Sequence, residues 1–168
     1  MFQVEEYIVC GCNGVCKVIS IGPLEIKGAD KEKLYYTLQP IYLKKSKIYV
    51  AVDNDKIISR KIITKAEAEK LIEEIPYIET IWVDDDKKRE EVYKESVKKY
   101  DCREYVKIIK TLCLSKQKRI VEGKKLSISD QKYLQIAREG LFGEMAIPLN
   151  LAKEKVEDYM NSFAYFSN

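Results

Sequence analysis

The sequence predicts an α+β protein in which a small β-barrel is followed by an all-α helical bundle. Residues 7 to 63 consist of short β-branched and aromatic runs between turn residues. At Thr64 the apolar spacing changes to a helical period, and beyond it charge is segregated by segment rather than mixed.

The runs are YIV, VCKVISI, LYYTLQPIYL, KIYVAV and KIISRKII. Between them CGCNG, GPLEIKGADKEK, KKSK and DNDK provide the Gly, Pro, Asn and Asp that tight turns need. Four or five short antiparallel strands are therefore expected. So few short strands bury enough surface only by curling into a small barrel or by leaning on a partner.

Thr64 and Glu67 have the spacing of a capping box, and Ala68, Leu71, Ile72 and Ile75 follow on one helical face before Pro76. A domain boundary is expected here, giving 1–63 and 64–168. The connector PYIETIWVDDD leads to a helix over 86–99 whose narrow apolar face carries Val92, Tyr93, Val97 and Tyr100. Asp101 and Glu104 mark the next cap. Tyr105, Ile108, Ile109, Leu112 and Ile120 then keep helical spacing until Gly123. Ser127 or Ser129 opens a further helix through Tyr133, Ile136, Ala137 and Leu141 that Pro148 should end, and Asn150 is expected to cap a last one.

Composition narrows the function. The chain has 168 residues, 46% of them hydrophobic, enough to build a core. No uncharged stretch exceeds ten residues, whereas a membrane span needs about 20 apolar ones. Acidic residues stand in MFQVEEYIV where a secretory signal would be positive. Five cysteines, an odd number, fit thiols kept reduced in a cytoplasm, where the protein is expected. With no histidine there is no Ser/His or Cys/His nucleophile pair, and no GxxxxGK[ST] loop is present for nucleotide phosphates. Asp84, Asp85 and Asp86 stand at a helix start, where carboxylates complement the macrodipole. Cys10, Cys12 and Cys16 are either three thiolate ligands for zinc or small hydrophobes around a strand turn, and the second is the common fate of free cysteine. No catalytic residue, metal, cofactor or small-molecule substrate is expected.

The net charge of +3 hides a strong division. Residues 64 to 86 carry 2 basic and 8 acidic side chains, and residues 87 to 125 carry 14 and 6. Lys87, Lys88 and Arg89 open one helix, Arg103, Lys107, Lys110 and Lys118 follow helical spacing in the next, and Lys124 and Lys125 flank a turn. Such a surface binds a phosphate backbone by counterion release. It is equally a solvated helix face, with Glu90, Glu91 and Glu95 as local partners. Trp82, the sole tryptophan, stands just before this block as either a wedge between DNA bases or a buried packing anchor.

The stretches NGVCKVISIG, KEKLYYTLQP, IYVAVDN, CREYVKIIKTL and KKLSISDQKYLQIAREGLFGEMA together resemble the CarD/CdnL family of bacterial transcription regulators over essentially the full length. The resemblance implies a Tudor/SH3-like N-terminal barrel that docks on the β subunit of RNA polymerase, and a helical domain that contacts promoter DNA. It places polymerase docking on segments around Leu34, Tyr36 and Leu38 and around Ile48, Tyr49 and Val50. It makes Trp82 the counterpart of the family's wedge at the upstream edge of the promoter bubble, which stabilises the open complex. It also puts Lys88, Arg89 and Lys132 on DNA-contacting positions. The chain departs from the family pattern in setting Trp82 about one helical turn early, with an acidic triplet after it. The rival reading is a protein- or RNA-binding module with Trp82 as a core anchor.

Overall fold

A computed structural model describes residues 1–28, 30–43 and 47–163. It divides into two compact units, Met1–Ile62 and Ile63–Asn168. Most of the KKSK turn expected at 44–47 lies outside the described residues.

The first unit is an antiparallel sheet of β1 (Tyr7–Cys10), β2 (Val15–Gly22), β3 (Tyr35–Pro40), β4 (Ile48–Ala51) and β5 (Ser59–Lys61). Their order in the sheet is β4-β3-β2-β1-β5. The turn from β1 to β2 depends on Gly14, at a φ of 67°, which a side chain would disfavour. Pairing puts Ile8 opposite Cys16, Val18 opposite Leu38 and Tyr36 opposite Val50, so alternate residues share one face. A bulge between Val18 and Ser20 shifts the register, which keeps Ile21 opposite Tyr36. The buried cluster on that face is Ile8, Cys10, Cys16, Val18, Tyr36, Leu38 and Val50. The expected small barrel takes the form of an open sheet: among the described residues no ladder joins β4 to β5, and these are its two edges.

The second unit contains α1 (Lys65–Glu74), α2 (Asp86–Val97), α3 (Cys102–Val121), α4 (Ile128–Leu149) and α5 (Lys153–Asn161), with a 3-10 turn at Ile75–Tyr77. The sequence signals for the helix starts operate as expected. Thr64 and Glu67 form the reciprocal capping box, Asp101 accepts from the N–H groups of Arg103 and Glu104, and Ser127 accepts from that of Asp130. Ala68, Leu71, Ile72, Tyr105, Ile108, Ile109, Leu112, Tyr133, Ala137 and Leu141 meet in one core.

Four local expectations are corrected. Ile120 is 61% exposed because the last turns of α3 extend past the core, and Ile136 is 38% exposed beside the buried Ala137. Pro148 lies inside the last turn of α4 rather than ending it. The helix closes at Asn150, which takes the left-handed conformation (φ 53°) and donates its N–H to the carbonyls of Ala146 and Ile147. Asn150 thus ends α4 and does not cap α5, whose N-cap is Ala152.

α3 and α4 approach closely at Gly140, where an added Cβ would lie 2.5 Å from the Tyr105 ring. Four residues on, Glu144 is 1% exposed. Its carboxylate accepts from the Ile63 N–H at 3.0 Å and from the Cys102 thiol at 3.2 Å. This buried polar clamp ties the entry of the unit and the first turn of α3 to the middle of α4.

Candidate nucleic-acid interface

Trp82 lies on the connector between the Ile75–Tyr77 turn and α2, and its side chain is 52% exposed. The packing-anchor expectation therefore does not hold within this unit. The backbone beneath the indole is fixed on both sides. The Ile81 N–H donates to Thr111 Oγ1 at 2.8 Å, and the Ile81 side chain packs against the core. The Val83 carbonyl accepts from the Arg89 guanidinium at 3.2 Å. An exposed indole on so short and well-tethered a segment has lost much of its freedom before it meets any ligand.

Arg89 organises this end of the bundle. Only 14% of its side chain is exposed, and it donates to Asp130 at 3.1 Å and to Asp86 at 2.6 Å. Burial would favour loss of its proton, but hydrogen bonds to Asp130 and Asp86 outweigh this and raise its pKa. The first turns of α2 and α4 are thereby joined, and the buried Asp130, 4% exposed, is paired with a guanidinium. This corrects the expectation for Arg89: its donors are spent inside the protein, and it is a structural cation rather than an exposed phosphate contact.

The rest of the basic block sorts in the same way. Lys110 donates to the carbonyls of Ile75, Pro76 and Ile78 at 2.8, 3.2 and 2.6 Å, and burial lowers its pKa. Arg103 pairs with Glu74, Lys107 and Lys99 converge on Glu104, and Lys98 pairs with Glu95. Arg119 donates to the Lys125 carbonyl at 3.2 Å. Lys87 and Lys88, exposed in the first turn of α2, and Lys125, exposed before α4, have no carboxylate partner among the described residues. Lys124 is paired with Glu122, at 3.2 Å and in solvent, an arrangement worth little. Lys132 is exposed, its ammonium 5.3 Å from the Tyr133 ring centre.

Lys118, which the sequence placed only among the periodic cations of α3, has its ammonium 4.5 Å from the centre of the Trp82 ring. Thr111, Leu114, Lys118 and Val121 are spaced along one face of α3. The connector lies across that face, with Ile81 bonded to Thr111 and Trp82 beside Lys118. Local periodicity reveals such a face but not what lies across it.

In the first unit, the residues expected to dock on polymerase fall into two groups. Leu34 is 47% and Tyr49 44% exposed, and Ile48 is partly buried. Tyr36, Leu38 and Val50 belong to the core, and the Tyr36 hydroxyl accepts from the Phe2 N–H at 3.0 Å. Moreover, β3 is hydrogen-bonded on both sides, by β2 and β4, so it offers no strand edge. Of the two segments expected to dock, only Ile48 to Val50, on β4, lies at an edge of the sheet.

Among the described residues no group of three or more Cys, Asp or Glu is placed to hold a metal ion. Cys10 and Cys16 are buried and Cys12 is exposed. No helix among the described residues is long and apolar enough to cross a membrane.

Residues 2–62 match the CarD-like/TRCF RID domain family, and residues 78–161 match the family of the CarD C-terminal domain. Comparison with curated proteins gives no significant match.

Proposed function

We propose, from the premise that the chain belongs to the CarD family and so is an RNA polymerase-interacting transcription regulator, that it bridges the polymerase β subunit and promoter DNA. Its N-terminal unit docks on the β subunit. Its helical unit engages DNA at the upstream edge of the transcription bubble and stabilises the open complex. Members of the family are non-enzymatic transcription factors, and no catalytic step is assigned.

On the polymerase side, β4 supplies an edge whose backbone groups accept an added strand. Tyr49 is exposed on that strand, and Leu34, whose carbonyl accepts from the Val52 N–H, is exposed beside it. The buried Tyr36, Leu38 and Val50 support this surface from beneath rather than touch the partner. On the DNA side, Lys87, Lys88, Lys124, Lys125 and Lys132 contact phosphates, and Arg89 keeps the wedge segment in place. Polymerase binding gives the helical unit a high effective concentration at the promoter, so weak DNA contacts suffice.

The observation that carries this reading is Trp82, half exposed on a backbone held from both sides. Insertion between stacked bases costs a few kcal/mol per duplex step and little at a bubble edge, where stacking is already broken. Stacking one base on an aromatic ring contributes roughly 1–3 kcal/mol. Trp82→Ala should accordingly shorten open-complex lifetime by about tenfold while polymerase still binds. An unchanged lifetime in this variant would remove the wedge from the mechanism.

A further inference from the structure

The wedge does not carry its indole bare. Lys118 lies over the ring, and it differs from Arg103, Lys107, Lys110 and Arg119 of the same helix in having no carboxylate or carbonyl partner among the described residues. The negative C-terminal end of α3 explains why cations gather in its last turns, but Lys116 and Arg119 meet that demand equally. It does not explain placement over the indole. That placement follows from the same α3 face that holds the Ile81 N–H through Thr111, seven residues before Lys118.

We propose that Lys118 is a positioning residue for the wedge. In the free protein it holds the indole by a cation–π contact. When a base takes the ring face, it transfers to a DNA phosphate. This rests on the wedge reading of Trp82.

One ring face cannot hold both an ammonium and a stacked base. An exposed cation–π contact is weak, whereas a charge-assisted contact to phosphate is stronger. The exchange is therefore favourable wherever an unpaired base arrives together with backbone. Duplex DNA supplies the phosphate but no free base face, so much less is gained there. Lys118 thus couples phosphate attraction to base stacking and favours melted over paired DNA.

Because Trp82 is the only tryptophan, its selectively excited emission in the full-length protein reports on this contact. One nearby positive charge concentrates iodide, and Lys118→Met should lower iodide quenching about twofold, leaving quenching by neutral acrylamide unchanged. Binding of Lys118→Met to bubble-containing DNA should fall about fivefold, with a change below about twofold for matched duplex. Lys118→Arg should restore both quenching and bubble binding, since a guanidinium also stacks on indole. Unchanged iodide quenching in Lys118→Met, or equal weakening of bubble and duplex binding, overturns the proposal. If Trp82→Ala weakens bubble binding and Lys118→Met does not, only the role of the lysine falls. If Trp82→Ala has no effect, the wedge reading falls and the lysine's role with it.

Discussion

The two units solve the problem of burial differently. The main buried row of the sheet is Ile8, Cys10, Cys16, Val18, Tyr36, Leu38 and Val50, with only a few further side chains such as Val9 and Val15 buried beside it, and among the described residues the β4 and β5 edges have no strand partner. The helical unit surrounds a larger apolar core and adds polar groups inside it, with Glu144 holding Ile63 and Cys102, and Arg89 holding Asp130. The first arrangement leaves backbone available to another protein. The second fixes the positions of particular side chains, as the wedge proposed at Trp82 requires. Association by backbone edges tolerates a thin core, whereas positioning needs a pinned one.

Removing a core side chain from the thinner unit should produce the largest effect. Leu38 is fully buried at the centre of the sheet, and Leu38→Ala should cost about 3–4 kcal/mol in chemical denaturation, with loss of amide protection in β2, β3 and β4. A cost below about 1 kcal/mol would mean that the sheet collapses readily around the gap and is less dependent on this row than described.

The clamp of the helical unit should come next. Glu144→Ala removes the acceptor for Ile63 and Cys102 and leaves a small void, and it should cost about 2–3 kcal/mol. Glu144→Gln, which keeps a carbonyl oxygen, should recover most of this. Equal stability of the Ala variant and the parent protein would show the clamp to be dispensable.

The smallest effect concerns Tyr93, whose buried hydroxyl finds no hydrogen-bond partner among the described residues. Burial, with the nearby Asp130 charge, pushes its pKa up to about 12. Since the folded-state pKa lies above the unfolded one, the folded state holds the proton more tightly, and stability is lost as pH rises from about 10 to about 12. Tyr93→Phe should change stability by less than about 1 kcal/mol at neutral pH and flatten that alkaline decline. An alkaline decline identical to that of the parent would assign it to other groups.

Much of the fold was legible because it is written in local rules. The capping box at Thr64, the caps at Asp101 and Ser127, and the apolar spacing of α1 and α3 act within one or two helical turns. Expectations failed at element ends, where Ile120 runs past the core and Asn150 closes one helix instead of opening the next. The site was legible only in outline. Trp82 and the basic block stand out in the sequence, but their partners do not.

By itself the sequence determined that this is an α+β chain with β runs before Thr64, helices after it, and a tryptophan ahead of a basic segment. Composition, period and capping act over a few residues, and no long-range contact is needed to read them. Only the tertiary structure decided which cations remain available. Arg89 is committed to Asp130, 41 residues away, Lys110 closes the turn at Ile75–Tyr77, and Lys118 covers the indole of Trp82. Charge in a sequence counts ammonium and guanidinium groups. Whether one of them faces solvent, a carboxylate or a ring depends on which helices pack together, and that is set by the core rather than by the charges themselves.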